Sequence, residues 1–396
     1  MKRFVVLDSW RGIAACMVAL YHVDFLSHLN ASSSYSHLHD VPFLRNSYLF
    51  VDFFFALSGF VIAANYHQRL LDGFGVGRFL LLRLGRLYPL HFAMLAAYVA
   101  LKLLQILIPA LSSFSSAAPF STPQQAPDTI LANLLLIQSL HLYDFLTWNL
   151  QSWSISTEFY TYAIFAACLV GLRKHGWIAL LIAMIGGPIL IATLSRNNMD
   201  TTYDWGIIRC VYGFAAGVIS WNLYKQWNGR LSRWLSGNVA EWCTIALIIA
   251  FVSAFGTTLL SIAAPYVFGL AVLVFAFETG TASAILRLRP LVFLGTVSYS
   301  IYMTHVFVMQ RMVDAGRVVL DKLGHSDALT RGEIDGQDFN FLGAPQWVGD
   351  IVYLICLAMT IAVSYFTYRW IEKPGREWVR NRVQPQQRTI GNSIQP

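Results

Sequence analysis

Ten separate apolar stretches, each about as long as a bilayer is thick, decide what this chain can become. They fall at 12–29, 48–66, 90–109, 155–172, 177–194, 205–224, 240–257, 260–277, 291–312 and 348–370. A membrane-crossing helix needs about 20 predominantly apolar residues, and every backbone polar group in lipid must be satisfied within it. Of the 396 residues, 56% are apolar and 12% charged, against roughly a quarter charged in soluble domains. So few charges cannot cover a water-facing surface of this size. A soluble enzyme, a disordered chain and a disulfide scaffold are excluded. The expected class is an all-α polytopic membrane protein, a bundle of about ten transmembrane helices. An eleventh apolar run, 130–142, is too short to span and is bracketed by Pro127 and Asn149; it reads as interfacial or re-entrant.

Charge sets the expected orientation. With the N-terminus inside, 19 of the 28 Lys and Arg fall on cytoplasmic segments, Arg83 and Arg86 among them. Eight fall on outer loops and span ends, including Arg209, and Arg11 sits at the inner mouth of the first helix. Basic residues mark cytoplasmic loops, so both termini are expected in the cytoplasm. The net charge of +7 is read in the same way, and no nucleic-acid partner is expected. Asp8 and Arg11 precede the first apolar stretch and no small-residue cleavage site follows it, so the first helix reads as retained. The expected organisation is a membrane domain over 1–378 and a polar cytoplasmic tail over 379–396. The largest extramembrane segments, about 110–154 and 313–347, are below ordinary domain size, which confines any chemistry to the bundle and its loops.

Within that frame a few polar residues stand out. Arg11 and His22 are eleven residues apart, or 1100° of helical rotation, only 20° past three full turns. They share a face and lie about 16 Å apart at 1.5 Å rise per residue. An ionisable side chain at His22's depth is a functional candidate; a packing histidine bonded to a neighbouring Ser or Tyr is the other reading. Arg83 and Arg86, in the inner loop before the third span, are an i, i+3 pair. They suit either a phosphate-bearing ligand or anionic lipid. Ser58 and Gly59 are small enough for close helix packing. Glu158, in the first turn of the fourth span, suits the helix dipole and is expected at the outer face, where an acceptor would bind. Tyr299, Tyr302 and His305 form an i, i+3, i+6 polar stripe, either a hydrogen-bonded core network or the lining of a cavity.

Other signals carry less. The five cysteines lie in apolar runs without C-x-x-C spacing and read as small core residues. The His37-Leu38-His39-Asp40 run has no partner cluster, and no metal is expected. Gly73-Phe74-Gly75-Val76-Gly77 reads as a connector, and no nucleophile elbow, zinc-binding helix or nucleotide-binding glycine loop is present with the strand context it needs.

Taken together, the motifs resemble the acyltransferase family 3 integral membrane proteins, the carbohydrate O-acyltransferase type. The matching stretches are Leu7-Asp8-Ser9-Trp10-Arg11-Gly12-Ile13-Ala14 continuing to His22, and Val51-Asp52-Phe53-Phe54-Phe55-Ala56-Leu57-Ser58-Gly59-Phe60. Arg83-Leu84-Gly85-Arg86, Trp153-Ser154-Ile155-Ser156-Thr157-Glu158, Ser298-Tyr299-Ser300-Ile301-Tyr302-Met303-Thr304-His305 and Arg369-Trp370-Ile371-Glu372-Lys373-Pro374 follow in the family's order. The resemblance implies ten helices in the inner (plasma) membrane. It also implies transfer of an acyl group, acetyl by expectation, from cytoplasmic acyl-coenzyme A to a hydroxyl of an extracytoplasmic or envelope saccharide. Acyl-coenzyme A is then a donor substrate, with no permanently bound cofactor. By the same resemblance, Arg83 and Arg86 hold the donor with Arg11 close by, and His22 acts as general base or acyl carrier. Glu158, Tyr299, His305 and Ser58 are secondary candidates for acceptor binding or for orienting His22. A transporter or flippase lined by the same polar residues is the main alternative. A structural partner of a polysaccharide-synthesis complex is a third.

Overall fold

A computed structural model describes residues 3–23, 36–108, 118–325, 329–334, 337–342 and 346–383. The helices are α1 (Val5–Val23), two short turns α2 (His37–Asp40) and α3 (Pro42–Arg45), α4 (Phe50–Leu71), α5 (Val76–Leu107) and the short α6 (Pro127–Leu134). They continue with α7 (Trp153–Leu172), α8 (Gly176–Leu194), α9 (Gly206–Leu235), α10 (Asn238–Phe255), α11 (Ala264–Phe275), α12 (Thr281–Leu286) and α13 (Arg289–Lys322). After a hairpin come α14 (Gln346–Thr367) and α15 (Lys373–Val383), joined by a π-helical turn, Tyr368–Glu372. The chain is a helical, multi-pass membrane protein. Each predicted apolar stretch overlaps a helix, but length and composition alone identify seven helical stretches able to cross a membrane among the described residues. One of the seven, Leu150–Leu194, contains both α7 and α8. Helix α1, which carries Asp8, Arg11 and His22, and the shorter run Leu259–Phe275 are not among them.

Four differences from the sequence reading have physical causes. Helix α1 begins at Val5 rather than residue 12. A hydropathy window rejects Asp8 and Arg11, yet the bundle satisfies them: Arg11 donates to Ser298 Oγ at 2.8 Å and to the Gly295 carbonyl at 2.9 Å. The predicted inner loop carrying Arg83 and Arg86 is instead the first half of α5, which runs unbroken through Pro89. Helix α15 packs along it, with Val379 against the bare Cα of Gly85 and Gly375 against Pro89. The fold is not purely helical: β1 (Leu329–Ile334) pairs antiparallel with β2 (Gln337–Leu342), from Leu329 opposite Leu342 to Ile334 opposite Gln337. The two residues between the strands are Asp335 and Gly336, a pair common in two-residue hairpin loops that the sequence reading passed over. Finally, the cysteines are not uniformly core residues, since Cys243 is exposed while Cys16, Cys210 and Cys356 are buried. The predicted tail is described only to Val383, and the remainder lies outside the described residues.

Burial sorts the helices into a centre and a belt. The most apolar window of the stretch containing α4 is 78% buried, whereas that of Leu150–Leu194 is 11% buried, with Leu181, Ile182, Ile185 and Ile189 exposed. Outward Leu and Ile cost nothing where the solvent is lipid, and close packing rather than apolar burial holds the centre. Small residues make that packing possible. Helix α1 runs along α13 so closely that a Cβ on Gly12 would overlap the Gly295 amide and one on Gly295 would overlap the Asp8 carbonyl. The α4–α9 contact is built in the same way from Gly59 and Gly217. Predicted small-residue packing therefore holds for Gly59, while Ser58 serves a polar role described below. The 130–142 run does not span: α6 ends at Leu134 and buries Asn133, which donates to Thr147 Oγ1 at 2.8 Å.

Candidate active site

Six of the eight predicted site residues line one cavity, of about 110 Å³: Arg11, Ser58, Arg83, Arg86, Glu158 and Tyr299. Helix α1 supplies Arg11, α4 Ser58, α5 the arginine pair, α7 Glu158 and α13 Tyr299. Arg11 is aimed by Ser298 and Gly295 of α13 and by Asp8 at 3.4 Å. Arg83 donates to Tyr66 Oη at 3.1 Å and lies over that ring. Arg86 makes no hydrogen bond or ion pair among the described residues, although it is half-buried. Three guanidinium groups converging on one cavity, one of them without a protein acceptor, form a place for an anion with several oxygens.

Glu158 lines the same cavity as the arginines, a meeting the sequence reading did not expect. The cause is the way α7 enters the bundle: the 3₁₀ turn Leu150–Ser152 already buries Gln151 and Ser152, so the start of α7 is interior. The Glu158 carboxylate accepts from Ser58 Oγ at 2.6 Å and from the Tyr162 hydroxyl, so Ser58 holds Glu158. Tyr299 donates to the Leu87 carbonyl on α5, one residue beyond Arg86.

His22 and His305 are brought together elsewhere. His305 Nε2 lies 3.2 Å from His22 Nδ1. His22 Nδ1 is also 2.8 Å from the Val18 carbonyl, and His305 Nδ1 is 3.2 Å from the Ile301 carbonyl. Carbonyl oxygens only accept, so both partners place the neutral proton on Nδ1. His305 Nε2 can then accept a share of the His22 Nδ1 proton, and the basic lone pair of His22 sits on Nε2. His22 lines a second cleft, of about 240 Å³, with Tyr21, Tyr48, Gln151, Trp153, Asn197, Asp200, Asp204 and Arg209. Val51 and Tyr302 line both spaces and form the wall between them. The Tyr302 hydroxyl is tied to Ser154 Oγ at 2.7 Å and to the Gln151 carbonyl at 3.1 Å.

Three charged residues in this region are buried with partners that the sequence reading missed. Arg209, counted there as an outer-face cation, is 1% exposed and clamps the fully buried Asp52 bidentately at 2.9 and 2.7 Å. It adds nothing to the charge asymmetry between the two faces. Asp52 stood in a quoted motif, but its partner 157 residues away was not legible. Glu372, in the last motif, is buried and accepts from Ser300 Oγ at 2.8 Å. Breaking a buried pair on one side typically costs 3–5 kcal/mol, because the other charge is left uncompensated. Asp52→Ala and Arg209→Ala should each lower the thermal unfolding temperature of the detergent-purified protein by that order of free energy. An Asp52→Leu/Arg209→Met double variant should recover part of the loss. A single variant as stable as the wild type would contradict the burial of the pair.

The sequence profile of the acyltransferase 3 family, described as an acyltransferase domain, matches residues 4–369. A protein described as protein 2 in the picA locus of Rhizobium radiobacter is 40% identical over 101 residues. That match covers 24% of this chain and 46% of the relative, so the chain spans about half of that protein's length. No solved structure matches the chain.

Proposed function

The chain belongs to the acyltransferase 3 family, and from that premise we propose that it moves an acyl group, acetyl in the first instance, from cytoplasmic acyl-coenzyme A to a hydroxyl of an extracytoplasmic or envelope saccharide. The observation that carries the reading is the pairing of two spaces across one wall. Three arginines converge on one side, His22 with His305 behind it stands on the other, and Val51 and Tyr302 lie between. The setting proposed for this chemistry is the inner membrane, with ten spans and both termini cytoplasmic. The Lys and Arg distribution supports that orientation.

Arg83, Arg86 and Arg11 hold the donor's phosphates, and the acyl-bearing arm extends toward His22. The acceptor hydroxyl oxygen attacks the thioester carbonyl while His22 Nε2 takes its proton. The C–S bond breaks, and the proton passes to the departing thiolate, leaving an ester and free coenzyme A thiol. The same nitrogen serves a two-step route, in which it first accepts the acyl group and then yields it to the hydroxyl. His305 is a positioning residue that helps hold the Nδ1 proton in place. Glu158, fixed by Ser58 and Tyr162, bounds the donor cavity beside the arginines, and Tyr299 ties α13 to α5 there. On this reading Glu158 and Tyr299, which line the arginine cavity, act on the donor rather than on the acceptor.

The test is thiol release from acetyl-coenzyme A by the purified full chain, measured with and without saccharide acceptors. Acceptor-stimulated release with ester formation is the expected result. A transporter reading would use the two spaces as a passage and predicts no thiol release. Absence of both release and donor binding in folded protein would overturn the proposal.

A further inference from the structure

The cleft that holds His22 has a polarity of its own. Its far wall is the connection between α8 and α9, which brings Asn197, Asp200 and Asp204 opposite Gln151 at the entry of α7. Asp200 is exposed there, and its carboxylate takes no hydrogen bond among the described residues. Asp204 accepts from Thr201 Oγ1 at 2.6 Å and from the Thr202 amide at 2.9 Å, both through Oδ1. Gln151 is 1% exposed, and its Nε2 donates to the Met303 carbonyl at 2.7 Å, which fixes the amide orientation. Its Oε1 is buried without a hydrogen-bond partner among the described residues, a state that costs about 1–3 kcal/mol until a donor fills it.

Charge points the same way. Arg209 is the one described cation lining the cleft, and its guanidinium is already matched by Asp52 and bonded to the Thr201 carbonyl at 3.2 Å. Two carboxylates are therefore presented to a ligand, with an unpartnered amide oxygen buried in the same wall and no uncommitted positive charge among the described lining residues. Such a surface accepts hydrogen bonds and repels acid groups. Half-buried rings of Tyr21 and Tyr203 add apolar faces. A ligand rich in hydroxyl or ammonium donors, with a partly apolar ring, fits both properties.

We propose that this cleft is the acceptor subsite and selects a neutral or amino sugar while rejecting uronic acids and phosphorylated sugars, with Asp200 as the discriminating residue. The inference rests on the acyl-transfer reading above. Asp200 hydrogen-bonds the sugar, Gln151 Oε1 takes a further donor from it, and His22 Nε2 meets the hydroxyl that reacts.

The probes are methyl β-glucoside, methyl β-glucosaminide and methyl β-glucuronide, offered with acetyl-coenzyme A to the purified full chain. The readout is thiol release above the water background, confirmed as product formation. The neutral and amino glycosides should exceed the glucuronide in kcat/KM by at least about tenfold, the scale of one hydrogen bond to a charged group. Asp200→Asn should narrow that gap, and Asp200→Lys should close or invert it; the site is exposed, so both variants should fold. A glucuronide used as well as the glucoside, a gap unchanged in Asp200→Lys, or no stimulation by any of the three while acetyl-coenzyme A still binds would each overturn the assignment. Loss of acetyl-coenzyme A binding itself, read by titration, would instead overturn the acyl-transfer reading on which it stands.

Discussion

Replacing His22 with alanine should lower acyl transfer by two to four orders of magnitude, the range typical of a general base, in protein that still inserts and folds. His22 is half-buried, and its ring touches Val18 of its own helix and His305 of α13, so its removal opens a small space without stranding a charge. Donor affinity should hardly move, because the arginines lie in the other cavity. His305→Ala should act more weakly and on kcat alone, since the Val18 carbonyl still fixes the Nδ1 proton of His22. Transfer by His22→Ala within about tenfold of the wild type would return His22 to a packing role.

Arg86 gives the second large effect. Its guanidinium has no protein partner among the described residues, so Arg86→Ala should leave the fold intact while weakening acetyl-coenzyme A binding. Hydrogen bonds to charged groups are worth about 1.5–3 kcal/mol, which at about 1.4 kcal/mol per decade is ten- to over a hundredfold in affinity. Arg86→Lys should restore only part of this, because an ammonium lacks the planar fork that grips phosphate with two parallel bonds. Titration of the donor against both variants separates this from an anchoring role in anionic lipid. A lipid anchor predicts poor insertion, near-full rescue by lysine and unchanged donor affinity in whatever protein folds. Wild-type affinity in folded Arg86→Ala would remove Arg86 from the donor site.

Local periodicity carried the sequence reading a long way. The 1100° between Arg11 and His22 placed both on one face of α1, and both do meet α13, Arg11 at Ser298 and His22 at His305. The i, i+3 spacing of Arg83 and Arg86 likewise put them in one cavity. What failed were statements that need a partner distant in the chain. Hydropathy treats Asp8, Arg11 and the Arg83 region as unfit for a helix in the bundle, because it cannot see the carbonyls and hydroxyls that satisfy them. Arg209 looked like a surface cation because nothing nearby announces Asp52. That Glu158 meets the arginines was not legible either, because nothing local announces that the start of α7 is buried. The stripe Tyr299–Tyr302–His305 is divided by the fold, with Tyr299 in the arginine cavity, His305 against His22, and Tyr302 in the wall.

The glycine crossing of α1 and α13 has a consequence for the kind of donor the protein can use. Two helices in backbone contact at Gly12 and Gly295 cannot slide past each other, because any shift drives a side chain into a peptide group. The eleven-residue separation of Arg11 and His22 thus becomes a fixed ruler, about 16 Å long at 1.5 Å per residue. On the proposed reading the protein measures its donor against that ruler. A carrier with the right phosphates but too short a reach between them and its thioester would be gripped firmly and never react.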